Sequence, residues 1–155
     1  MTTFEKITAL LNEQGVSFRT VHHEPTLTSE ASAIARGEDL SVGGKAIVMK
    51  IDGAYKLFVL SAALRVGSRK IKDHFNAKNL RFASADELME VTGLVPGSVP
   101  PFGRPIFDLD VFVDNSIIRN DVIAFNAGSL TDSIIMKTTD YLAVSKPSIV
   151  DFAQA

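Results

Sequence analysis

Cysteine is missing from the 155-residue chain. That absence removes disulfides, thiolate nucleophiles and cysteine-based zinc sites, and it leaves the redox state of the compartment unmarked. Long hydrophobic runs are missing too: no apolar stretch approaches the ~20 residues that cross a bilayer. The start, Met1-Thr2-Thr3-Phe4-Glu5-Lys6, lacks the basic segment and apolar run of a secretory signal. The expected setting is therefore a soluble, cytoplasmic protein with no membrane partner. Charge of one sign is also lacking. A formal net charge of −2 argues against a general DNA coat, which is normally basic.

What the chain does have is ordinary globular material, 46% hydrophobic and 22% charged. Its length fits a single domain over 1–155, since domains take roughly 100–200 residues. Charge is unevenly placed. Arg65, Arg69, Lys70, Lys72, Lys78 and Arg81 face one acid, Asp73, whereas from Asp86 onward ten acids stand against four Lys or Arg. The basic stretch is either a surface for a phosphate backbone or a solvated helix face.

Thr2-Thr3-Phe4-Glu5 has the spacing of a capping box, followed by Phe4, Ile7, Leu10 and Leu11 at helical spacing and a stop at Gly15. Val16 to His22 predicts a strand. Thr28 predicts the cap of a second helix ending at Arg36-Gly37. Ala46 to Ile51 and Tyr55 to Leu60 flank Asp52-Gly53, a hairpin signal, and their near-continuous apolar content predicts central strands buried on both faces. A short basic helix is expected over 68–75, with Ile71 and Phe75 inward, then a strand at Leu80 to Ala83. Ser84-Ala85-Asp86-Glu87 opens a further capped helix through Val91. Gly93 to Pro105 holds four prolines and three glycines in thirteen residues, a density that neither a helix nor a central strand tolerates. It is expected to be an ordered loop or a mobile lid. Strands are expected at Ile106 to Val113, Val122 to Asn126 and Ser133 to Met136, then a helix near Thr139 to Val144 and another after Pro147. Together these predict an α+β fold with a central mixed, mostly antiparallel sheet flanked by helices.

Common catalytic sets are absent. His22 and His23 adjoin on a strand and so point to opposite faces, which is poor geometry for one metal. There is no HExxH. Gly43-Gly44-Lys45 lacks the spacing of a Walker loop, and Ala46 stands where a magnesium-holding Ser or Thr belongs. Gly128-Ser129-Leu130-Thr131-Asp132 is not a nucleophile elbow. No metal or cofactor is implied. Two elements remain. Lys45 precedes a buried-type strand, where its ammonium either serves a pocket or snorkels from the strand end. Gly97 and Gly103, stiffened by Pro96, Pro100 and Pro101, can bring backbone N–H groups to a ligand or can simply shape a surface loop.

Gly44 to Lys50, Thr92 to Gly103 and Phe125 to Ser129 together resemble the YbaK and prolyl-tRNA-synthetase insertion-domain family of trans-editing aminoacyl-tRNA deacylases. The likeness runs from His22-His23-Glu24-Pro25 to the final helices, and its most diagnostic part is Gly-x-x-x-Pro at Gly97 to Pro101. The resemblance implies hydrolysis of the ester between a small amino acid (Ala, Cys, Ser or Thr) and the terminal adenosine of tRNA, with no cofactor. Such an ester is already activated, so positioning of water or of the ribose hydroxyl, with oxyanion stabilisation, is sufficient. Lys45 matches the family's essential lysine, and the Gly97 and Ser98 amides would hold the carbonyl or the water. Thr28, Ser29, Pro101, Phe102, Gly103, Asn126, Gly128 and Asp132 are the expected substrate-binding residues, with Thr26 at the pocket wall. Arg65, Arg69, Lys70 and Lys72 are expected to meet RNA. Asn126 stands where some alanine-specific relatives carry histidine, and it cannot act as a base; Asp132 resembles an aspartate of the YbaK branch. The expected partners are aminoacyl-tRNA and a synthetase, and a homodimer is compatible. The competing readings are a non-catalytic RNA-binding module and a synthetase-associated regulator.

Overall fold

The first helix, α1 (Thr3–Glu13), starts where the capping box predicts. The Glu5 N–H donates to Thr2 Oγ1 at 3.1 Å and the Thr2 N–H donates to the Glu5 carboxylate at 2.9 Å. A computed structural model describes all residues, 1–155. Beyond α1 follow β1 (Phe18–His22), α2 (Ser29–Arg36), a single 3₁₀ turn (Leu40–Val42), β2 (Gly44–Ile51), β3 (Ala54–Ser61) and β4 (Arg65–Val66). Next come α3 (Ser68–Phe75), β5 (Leu80–Phe82), α4 (Ala85–Thr92), β6 (Val111–Asp114), α5 (Asn115–Ile118) and β7 (Val122–Asn126). The chain closes with β8 (Asp132–Lys137), α6 (Thr138–Ser145), β9 (Ser148–Val150) and β10 (Ala153–Gln154).

The α+β class with a mixed sheet is as the sequence predicts. Five strands run in the order β5-β2-β3-β6-β9, antiparallel through β3 and parallel beyond it. A three-stranded antiparallel sheet, β1-β8-β7, meets the five-stranded one at a single bridge, Gly43 to Ala124. The β2–β3 turn has positive φ at both Asp52 (46°) and Gly53 (89°), the backbone of the hairpin turn that an Asp-Gly pair favours. β3 explains its unbroken apolar run. Leu57 and Val59 enter the larger core, shared with β7, β8 and the helices α1, α4 and α6, while Phe58 and Leu60 enter a second core closed by Ile71 of α3 and by Phe152.

Two expectations are corrected. The segment after Pro147 is not a helix. Ser148, Ile149 and Val150 pair in parallel register with Phe112, Val113 and Asp114, because the β-branched Ile149 and Val150 suit an open sheet edge. Nor is 106–113 one strand: only Val111 onward joins the sheet. The Ile106 and Phe107 N–H groups both donate to the Gly103 carbonyl, at 2.8 and 2.9 Å, and Arg104 clamps Asp108 and Asp110. These bonds close a turn where the composition alone suggested extension. The 93–105 segment contains neither helix nor strand. Its burial decides for an ordered loop: Val99 and Phe102 lie in the larger core, and the buried Tyr141 hydroxyl donates to the Pro101 carbonyl at 2.6 Å.

Candidate active site

Lys45 is the second residue of β2, opposite Leu60 in register. The strand begins in a tight place: a Cβ on Gly44 would sit 2.6 Å from Ile123 Cδ1 of β7. This close approach brings the start of β2 beside α2 and the 93–105 loop. Between them lies a cavity of about 130 Å³ lined by Lys45, Gly97, Val99 and Asn126, with Thr26, Thr28, Ser29, Ser32 and Arg36 from the α2 side. The Lys45 ammonium takes part in none of the chain's ion pairs. Partial burial pulls its pKa below the ordinary lysine value, with the Glu30 carboxylate pulling the other way. A half-buried, unpaired cation carries a field that a negative or polarised ligand can take up.

Loop geometry selects which amides are available. Gly97 has φ of 88°, a conformation that glycine adopts at no steric cost. Its carbonyl accepts from Asn126 Nδ2 at 2.8 Å. The Ser98 carbonyl accepts from the Gly128 N–H at 3.0 Å. With both carbonyls held from the β7 side, the Gly97 and Val99 N–H groups are left without a protein acceptor, and both residues line the cavity. Ser98 differs from expectation. It is buried, and both its N–H (3.2 Å) and its hydroxyl (2.7 Å) donate to the Val95 carbonyl. Its amide is spent inside the loop, so the cavity-lining residues whose N–H groups lack a protein partner are Gly97 and Val99.

Other expected substrate contacts separate in the same way. Thr28, Ser29 and Asn126 line the cavity; Pro101, Phe102, Gly103, Gly128 and Asp132 do not. Phe102 packs edge-on against Phe125 and Tyr141, with centroids 5.5 and 5.4 Å away. Gly103 has no room for a side chain, since a Cβ would meet the Leu109 carbonyl oxygen at 2.2 Å. A Cβ on Gly128 would meet Thr3 at 2.6 Å, so this glycine serves the seat of α1. Asp132 accepts from His22 Nδ1 at 2.8 Å and from Thr131 at 3.2 Å, and these bonds outweigh desolvation to hold its pKa below the usual aspartate value. The two adjacent histidines diverge as their strand requires: His23 Nε2 meets Ser133 Oγ at 2.9 Å instead. No cluster of three or more His, Cys, Asp or Glu side chains has metal-binding geometry.

None of Arg65, Arg69, Lys70 or Lys72 lines the cavity. Arg65 donates to the Ala155 carbonyl, and Lys70 donates to the Ala153 carbonyl at 2.9 Å and to Asp151 at 3.3 Å. Half of the expected basic patch therefore fastens the C-terminal segment. Arg69, exposed and paired only with the exposed Asp73, and the half-buried Lys72 make no such bond.

Sequence reasoning missed Arg36. Its guanidinium is 8% exposed and contacts no carboxylate; Nε donates to Ser133 Oγ at 2.9 Å and Nη2 to Asn126 Oδ1 at 3.0 Å. Desolvation lowers its pKa to about 10, against a small opposing pull from Glu38. A signal was present: Ser29, Ser32 and Arg36 recur at i, i+3 and i+7, one polar face of a short helix.

A model of the aminoacyl-tRNA editing domain matches residues 23–144. The chain belongs to that family. Membership bears out both the resemblance and the enzyme class, an aminoacyl-tRNA editing hydrolase. This editing domain is 37% identical over 156 residues to the multifunctional Ser/Thr-tRNA deacylase ProXp-y of Escherichia coli K12, an alignment covering 97% of the chain and 92% of that protein. It is 33% identical over 97 residues to the proline–tRNA ligase of Bacillus licheniformis, covering 63% of the chain but 17% of the ligase. In fold it matches the crystal structure of a proposed trans-editing enzyme for prolyl tRNA synthetase, with a TM-score of 0.86 at 21% identity, over 100% of this chain and 99% of the other.

Proposed function

We propose that this editing domain removes small amino acids, of the Ser and Thr class first, from mischarged tRNA. Water attacks the ester carbonyl, directly or after the neighbouring ribose hydroxyl has taken over the acyl group, and a proton of the water passes to the departing ribose oxygen. The bond from that carbonyl to the ribose oxygen breaks, and the products are the free amino acid and tRNA with its terminal hydroxyl restored. The Gly97 and Val99 N–H groups receive the negative charge that develops on the carbonyl oxygen, and the Lys45 ammonium orients the ester or the terminal phosphate. The observation that carries the reading is that an unpaired Lys45 and two loop residues with unpartnered amides, Gly97 and Val99, line one small cavity.

Size and lining favour the substrate class. At about 130 Å³ the cavity suits a small side chain better than an aromatic one, since ~150 Å³ is what a benzene ring occupies when enclosed. Its walls carry the hydroxyls of Thr26, Thr28, Ser29 and Ser32. Three of these are already engaged: Thr28 Oγ1 caps α2, and Ser32 Oγ donates to Thr26 Oγ1 at 2.8 Å. Ser29 is left to meet a substrate hydroxyl. The name of the Escherichia coli relative supports the same class.

The test is deacylation across Ala-, Cys-, Ser-, Thr- and Pro-charged tRNAs, with Lys45→Ala as control. Release of Ser or Thr, reduced about 10²-fold or more in the variant, is expected; no release from any pair overturns the reading. The proposed partners are aminoacyl-tRNA and a synthetase that supplies tRNA identity, with action in the cytoplasm. A homodimer is left to sedimentation. No helix is long and apolar enough to cross a membrane.

A further inference from the structure

Arg36 is a charged residue buried without a counter-charge, an arrangement that is costly unless its hydrogen bonds serve some end. Apart from Nη1, which donates to the Ala124 carbonyl at 3.5 Å, its bonds converge on one side chain. Arg36 Nη2 and Ser133 Oγ both donate to Asn126 Oδ1, at 3.0 and 3.2 Å, while Asn126 Nδ2 donates to the Gly97 carbonyl at 2.8 Å. An amide side chain can turn over, exchanging oxygen and nitrogen. Two donors on one end and a carbonyl on the other permit a single orientation here.

We propose that Arg36 is a positioning residue for the editing reaction, acting through Asn126 to fix the Gly97–Ser98 peptide so that the Gly97 and Val99 N–H groups face the ester. The proposal rests on the deacylase reading for its role in turnover, but its structural step stands apart from that reading. The Gly97–Ser98 peptide is held at both ends, by Asn126 on its carbonyl and by the Val95 carbonyl on its N–H. Releasing the first end frees the plane to rotate. The neighbouring peptide, which carries the Val99 N–H, keeps its anchor at the Gly128 N–H on the Ser98 carbonyl but then hinges on a plane that is no longer fixed. Arg36 touches no reacting atom; it sets the orientation of the group that does.

Asn126→Asp separates positioning from mere stability. An aspartate there would form an ion pair with Arg36 yet would turn an oxygen, not an N–H, toward the Gly97 carbonyl. The expected result is a thermal midpoint equal to or above wild type, a kcat for Ser- or Thr-tRNA lowered about 10²-fold, as misplacement of a catalytic group produces, and an unchanged KM. Arg36→Met should lower kcat similarly. The double variant Arg36→Met with Asn126→Ala should lose no more than either single change, because the residues act as one unit. A folded Asn126→Asp with wild-type kcat, or losses that multiply in the double variant, would overturn the proposal. Hydrogen exchange supplies a readout independent of turnover: the Ser98 amide should exchange about tenfold faster in Asn126→Asp and in Arg36→Met. Wild type inactive on every tRNA but with this acceleration would refute the deacylase reading alone; unchanged exchange in both variants refutes the positioning role.

Discussion

Lys45 pays for its place in the pocket with stability. Its folded pKa lies below the ordinary lysine value, so the unfolded chain holds the proton more readily. Stability therefore rises with pH between the folded and unfolded pKa values, and the cost of burying the charge is present at neutral pH. Lys45→Met keeps the stem and discards the charge. It should leave the thermal midpoint unchanged or higher while deacylation falls about 10²-fold or more; a lower midpoint would mean that the ammonium is structural. The same lowered pKa sets a pH profile. Activity that needs the ammonium should decline on the alkaline side before an ordinary lysine would titrate, and the decline should disappear in the residual activity of Lys45→Met. Tyr141 is the residue-scale counterpart on the loop. Tyr141→Phe leaves the Pro101 carbonyl without its donor in a buried site, a loss of about 1–3 kcal/mol in unfolding free energy by denaturant titration.

At the scale of elements, the C-terminal strands depend on one carboxylate. Asp114, 3% exposed, accepts from the Phe152 and Ala153 N–H groups at 2.8 and 2.9 Å and from the Ser116 N–H at 2.8 Å. Burial alone would push its carboxyl up, but these bonds outweigh burial and hold its pKa below the ordinary value. Its stabilisation is thus present above the aspartate range and fades as pH falls through the lowered pKa. Asp114→Ala should cost about 3 kcal/mol or more at neutral pH, and hydrogen exchange should show β9 and β10 opening first. A variant of wild-type stability would show that β10 is held by its pairing with β4 alone. This dependence also explains an error of sequence reading. Ser148-Ile149-Val150 is short and follows a proline, so local pattern suggests a helix start. Its strand exists because β6 offers an open parallel edge and Asp114 waits at its end. By contrast α1 and α4 were legible because each cap is written locally, as Thr2 with Glu5 and as Ser84 with Glu87.

For the molecule as a whole, charge divides between a cavity with two cations and a basic patch on β4 and α3 that has given Arg65 and Lys70 to internal bonds. If Arg69 and Lys72 guide tRNA, charge reversal at both should raise KM with little change in kcat and should flatten the salt dependence of tRNA binding by about two unit slopes. Unchanged affinity and slope would make α3 a solvated face only. Binding without turnover by wild type would instead favour the non-catalytic RNA module.

By itself the sequence determined the α+β class, the hairpin that carries Lys45, the absence of helix and strand from 93–105, and the family. These follow from periodicity, caps, turn residues and a contiguous motif, all of which act over a few neighbouring positions. Tertiary structure decided which loop amides are free, which expected contacts are core packing, and that Arg36 reaches Asn126 across 90 positions of sequence. The physical reason is that a hydrogen bond is spent only once. Whether an amide faces a ligand depends on carbonyls and side chains brought from distant strands, and no local pattern records where they come to rest.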